Sequence, residues 1–112
     1  MSLPNPEQAV IDDAKLRDYL LSPTHPVGRF KAPFFAALGY TQENWYQLGQ
    51  DLREQHVGRQ AQTGDLTKYG QKYRIVAEIR GPSGRIANVV SVWIVLLGED
   101  FSRFVTAHPG VR

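Results

Sequence analysis

Cysteine is absent from all 112 residues, so neither a disulfide framework nor thiolate chemistry is open to this chain. A reducing, cytoplasmic setting is the expectation. No apolar run approaches the length of a membrane span, and Met1-Ser2-Leu3-Pro4-Asn5-Pro6 has neither the basic start nor the apolar centre of a secretory signal. A phosphate-binding glycine loop, a dinucleotide fingerprint and a nucleophile elbow are all missing. His25, His56 and His108 lie far apart and lack the helical pairing or carboxylate neighbours of a metal site. Neither a metal nor another cofactor is therefore expected.

What remains is an ordinary globular composition. The length fits a single domain, residues 1–112, with residues 1–8 as an extended lead-in around Pro4 and Pro6. An aromatic share of 11% argues against disorder. The net charge is only +2, but cations crowd the second half: Arg53, Arg59, Lys68, Lys72, Arg74, Arg80, Arg85, Arg103 and Arg112. That asymmetry permits a phosphate-rich partner such as RNA without requiring one.

The apolar spacing predicts helices first and strands second. Asp12 or Asp13 can cap a helix running to about Leu21, with Leu16, Tyr19, Leu20 and Leu21 in its buried stripe. Ser22-Pro23-Thr24-His25-Pro26 stops it. A second helix carries Phe34, Phe35 and Leu38 inward and ends at Gly39, while Pro33 calls for a kink or a fresh helix start. Thr41 has the look of a cap for a third helix, with Trp45, Leu48 and Leu52 inward, ending near Val57-Gly58. From Arg59 the period shortens. A weak strand over 60–67 precedes one over 71–79, in which Tyr73, Ile75, Ala77 and Ile79 face one side and Lys72, Arg74, Val76 and Glu78 the other. Gly81-Pro82-Ser83-Gly84 turns the chain into the longest strand, 86–97, and Arg103 to His108 make a last short one. The expected fold is α+β: three N-terminal helices on one face of an antiparallel meander of about four strands.

The densest chemistry is in His25-Pro26-Val27-Gly28-Arg29-Phe30-Lys31. Histidine passes protons near neutral pH, and two cations suit an anionic substrate. A set of histidine, lysine and arginine without metal or thiol is adequate for RNA cleavage. There the 2′-hydroxyl is an internal nucleophile, and the protein need only move protons and stabilise the crowded phosphate.

The same segment, followed by Phe34-Phe35, Leu38-Gly39, Tyr69-Gly70-Gln71-Lys72-Tyr73, Val92-Trp93-Ile94-Val95 and Val105-Thr106-Ala107, resembles a small bacterial domain family of unassigned function. Members of that family occur as standalone proteins, often beside another small gene, and at the C-terminal ends of polymorphic toxins. The helices-then-sheet order and the Val-Thr-Ala strand are similar in turn to the barnase, EndoU, colicin and RelE group of metal-independent ribonucleases. The resemblance implies an endoribonuclease of toxin type, with RNA and a small neutralising protein as partners. It implies His25 as proton carrier, Arg29 and Lys31 as holders of the scissile phosphate, and Thr106 as a bond to a phosphate oxygen. Lys72, Arg85, Trp93 and His108 would contact substrate, Trp93 by stacking on a base and His108 as a hydrogen-bonding group where the family usually has tyrosine. Each also has an ordinary structural reading: a turn histidine, solvated cations, a core tryptophan, a strand threonine. The rival functions are an adaptor that binds a partner protein and an inactive relative that binds RNA without cutting it.

Overall fold

The computed structural model describes residues 1–110, so Arg112 of the cationic half lies outside the described residues. Four strands, β1 (Ala61–Leu66), β2 (Gly70–Arg80), β3 (Ile86–Leu96) and β4 (Arg103–Pro109), form one antiparallel meander in the order β1-β2-β3-β4. Ahead of them come a 3-10 turn (Pro6–Gln8), a π-helical segment (Lys15–Leu20), a second 3-10 turn (Gly28–Phe30), and helices α1 (Ala32–Ala37) and α2 (Trp45–Gln55). The α+β layout expected from the periodicity is the one observed. No helix among the described residues is long and apolar enough to cross a membrane.

Register assigns the faces of the sheet, because directly opposed residues of an antiparallel pair point the same way. Ile75, Ala77 and Ile79 on β2, Val89, Ser91 and Trp93 on β3, and Phe104 and Ala107 on β4 face the helical layer and are buried. Against them pack Leu16, Leu20, Phe35, Leu38, Leu48 and Leu52. Within this core the His56 ring is fully buried. Its Nε2–H donates to the Ala77 carbonyl at 3.0 Å and its Nδ1 accepts from the Ser91 hydroxyl at 2.7 Å, while Ser91 also accepts from the Trp93 indole at 2.8 Å. Every polar group of that network is satisfied, as burial demands.

Several local expectations are corrected. The lead-in is not simply extended: Pro6–Gln8 forms a 3-10 turn, Leu3 is buried, and the Met1 carbonyl accepts from the Ala61 amide at the start of β1. The first helix is π-wound, with the Leu21 amide bonding the Leu16 carbonyl, and the wider turn brings Leu16, Leu20 and Leu21 into the core together. Between 26 and 33 the chain makes a 3-10 turn and then starts α1 afresh with Pro33 in its first turn, where a missing N–H costs nothing. Thr41 does not cap α2; its own amide is held by the Asn44 side chain, which closes the preceding loop. Gly39 ends α1 at φ 103°, where a Cβ would stand 2.6 Å from the Ser83 amide nitrogen of the β2–β3 turn.

Strict alternation also fails on β4. Val92 pairs with Thr106 but Trp93 pairs with Phe104, so Val105 is an extra residue, a β-bulge. The bulge lets Phe104 and Ala107 both face the core while Thr106 turns to the opposite, outer face. Because β4 is an edge strand, the outer face at Thr106 lies open to chain arriving around that edge.

Candidate functional site

Gly28 is the hinge of the site. A Cβ there would stand 1.7 Å from the Tyr19 carbonyl oxygen, so only glycine lets the segment 25–31 press against the π-helical backbone. Upstream, His25 fixes the same turn: its Nδ1 accepts from the amides of Val27 and Gly28, each at 3.0 Å, and its ring meets the Tyr19 ring edge-on at 4.9 Å. Downstream, Lys31 is carried to the edge of β4. Its Nζ donates to the Tyr19 hydroxyl and to Thr106 Oγ1, both at 2.9 Å, and those two oxygens are 2.8 Å apart. Three residues far apart in sequence thus close a triangle of one ammonium and two hydroxyls.

A count of hydrogens shows what the triangle can still bind. Lys31 has three N–H donors and uses two. The two hydroxyls share one hydrogen between them, which leaves one hydroxyl hydrogen over. The ion pairs among the described residues are Arg17 with Asp18 and Arg103 with Glu99, and neither involves Lys31. A half-buried cation without a carboxylate, flanked by spare donors, is equipped to receive an anion. The field also acts on Tyr19. Burial pushes its phenol up, but hydrogen bonds from Lys31 and Thr106, with the charges of Lys31 and Lys15, outweigh burial and hold it below the ordinary value.

His108 lies on β4 two residues beyond Thr106 and on the same outer face, opposite Val90. Its Nδ1 is 3.1 Å from the Pro109 carbonyl, an acceptor only, so Nδ1 carries the hydrogen and Nε2 keeps its lone pair. The two histidines are therefore opposites. His108 presents a basic nitrogen, whereas the His25 Nδ1 lone pair is spent on two amides and only its Nε2–H is left to donate. In this turn His25 is a positioning residue, with its Nδ1 holding two amides and its Nε2–H the ring donor it can still offer.

The other expected site residues scatter. Arg29 does not join Thr106: its guanidinium donates to the Pro26 carbonyl at 2.8 Å, lies over the Phe30 ring, and lines a separate groove of about 530 Å³ with Pro23, Pro33, Ala36 and Tyr40. Trp93 is fully buried, with its ring against Phe104, so no base can stack on it. Arg85 sits in the β2–β3 turn; Val92, the partner of Thr106, is six residues beyond Ile86, about 20 Å along the strand. Lys72 shares the outer face with Thr106 but stands two strands away, opposite Ile94. Sequence reasoning missed Tyr19, whose helical spacing placed it in a core stripe. The available signal was its hydroxyl, a polar tip that a half-buried ring has to satisfy.

The family model that describes a domain of unknown function, DUF6883, matches residues 2–111. The chain belongs to that family. Searches of curated proteins and of solved structures returned no match. For this DUF6883 domain, a functional reading has the triangle and its surroundings to start from.

Proposed function

We propose that this domain is a metal-independent endoribonuclease of toxin type, cleaving RNA through its own 2′-hydroxyl. The observation that carries the proposal is the Lys31–Tyr19–Thr106 triangle, a preorganised anion receptor beside a histidine with a free basic nitrogen. In this mechanism the spare Lys31 N–H and the spare hydroxyl meet the non-bridging oxygens of the scissile phosphate, where charge rises as the phosphorus becomes five-coordinate. His108 Nε2 takes the 2′-hydroxyl proton, and the 2′-oxygen attacks phosphorus. The bond from phosphorus to the 5′-oxygen breaks as that oxygen takes the Tyr19 proton. Lys31 stabilises the resulting phenolate. The products are a 2′,3′-cyclic phosphate and a 5′-hydroxyl, and exchange with water restores both side chains. A free ribonuclease damages its host, so a small neutralising protein belongs to the same proposal.

The outer face supports a second reading. Val76, 46% exposed, and the partly exposed Val92 and Ile94 make an apolar strip there, which suits an adaptor that docks a partner protein and leaves RNA intact. Incubation with an RNA oligonucleotide in chelator decides between them. The ribonuclease leaves cyclic-phosphate ends and spares DNA of the same sequence, and Lys31→Met lowers kcat by about 10²–10³, the usual cost of losing one transition-state donor. Intact RNA in the presence of folded protein overturns the proposal in favour of the adaptor. A requirement for added magnesium, or equal attack on DNA, overturns the mechanism.

A further inference from the structure

We infer that the outer face of the sheet holds a second phosphate of the same single strand, at Arg74 with Lys72 beside it, two strands away from the triangle. This inference rests on the ribonuclease reading and deepens it. Register places Gln62, Arg74, Val92 and Thr106 in one row across all four strands. Arg74 is thus two strand spacings from Thr106, about 10 Å between backbones, with Val92 as the floor between them. The bond to Gln62 draws its guanidinium towards β1, so the span to the triangle is at least that backbone spacing. Arg74 uses only Nε, donating to Gln62 Oε1 at 3.0 Å, so both terminal nitrogens of its guanidinium remain available for a bidentate hold on phosphate. Lys72 stands two residues along β2 on the same face, opposite Ile94. Neither cation has an ion-pair partner among the described residues. The nearest acid on that face of β2 is Glu78, four residues beyond Arg74.

The surface thus joins an anion receptor at one edge to two uncompensated cations at the middle of the sheet, across an apolar floor of Val76, Val92 and Ile94. A single-stranded nucleic acid follows a cationic track with its backbone. The outward positions of β2 and β3 carry no aromatic ring, so this track binds through the phosphate backbone, which every sequence shares.

The test uses the full chain and RNA with 2′-O-methyl groups, which binds but cannot be cut, followed by fluorescence anisotropy across a salt series. A dinucleotide spans one phosphate and a tetranucleotide three. Wild type binds the tetranucleotide more tightly, and Arg74→Gln weakens only the tetranucleotide, reducing the slope of log affinity against log salt by about 0.7, the value for one phosphate of a single strand. Lys72→Gln acts in the same direction, and both substitutions are at surface positions, so a thermal melt matching wild type certifies the fold. If Arg74→Gln leaves the tetranucleotide unchanged, or weakens both oligonucleotides alike, the second subsite is overturned while cleavage by wild type still stands. If wild type neither binds nor cuts RNA, the ribonuclease reading falls, and the subsite with it.

Discussion

Replacing Gly28 by alanine tests the link between the backbone of the 25–31 segment and the chemistry of the site. The added Cβ would meet the Tyr19 carbonyl oxygen at 1.7 Å and its carbonyl carbon at 2.6 Å, both backbone atoms with no rotamer to escape into. Ordinary contact begins at 3.4 Å, so the turn and the π-helical segment must part by about 1.7 Å. Overpacking of this kind costs about 1–3 kcal/mol, a fraction of the 5–15 kcal/mol that holds a typical domain together, so the protein still folds. In urea the midpoint falls with an unchanged slope. The parting also carries Lys31 away from Tyr19, stretching a hydrogen bond of 2.9 Å. Because burial raises the phenol and Lys31 is the main force lowering it, the Tyr19 hydroxyl then titrates at higher pH, which NMR of ring-labelled tyrosine reads directly. Gly58 is the control: a Cβ there meets nothing within 4 Å, so Gly58→Ala leaves both readouts in place. A Gly28→Ala protein with the midpoint and the Tyr19 titration of wild type would refute the argument.

Two further outcomes follow from the core. His56 is held below its ordinary pKa, first by burial and then by the charge of Arg59, which together outweigh the bond to Ala77. Below about pH 6.5, the reference value for histidine, the unfolded chain takes up a proton that the folded ring refuses, so stability falls with falling pH in that range and is indifferent to this group above it. Urea midpoints measured across the range check this, and His56→Gln flattens that part of the slope; equal midpoints on the two sides of the range, with His56 in place, would sink the assignment. Phe35 is fully buried whereas Phe34 is half-buried with its ring edge-on to Phe35. Phe35→Ala therefore costs about 3–5 kcal/mol and Phe34→Ala distinctly less, and equal losses in calorimetry would show that the two rings share the core evenly.

Much of the architecture is legible in the sequence because its cause is local. Alternation over 71–79 depends only on which residues face the core, and it survives in β2 with Ile75, Ala77 and Ile79 buried. Pro33 starts α1 and Gly39 ends it for reasons contained in their own covalent geometry. Of the candidate site, the segment 25–31 stands out in the sequence as chemical density, whereas Thr106 enters only through the family resemblance. The division of labour within the site is not visible there. Whether a histidine accepts or donates at Nδ1 depends on which backbone group stands beside it, and that separates His25 from His108.

The amino-acid sequence by itself determines the kinds and order of elements, since periodicity, turn residues and proline placement act over a few neighbouring residues. Only the tertiary structure decides that Tyr19, Lys31 and Thr106 meet, because that requires three non-local events at once. The π-wound turn aims Tyr19 at β4, the Gly28 contact brings Lys31 within reach, and the Val105 bulge rotates Thr106 to the outer face. A bulge and a π-turn each insert one residue into an otherwise regular period, and what stabilises them is packing against distant partners, which no window of sequence contains.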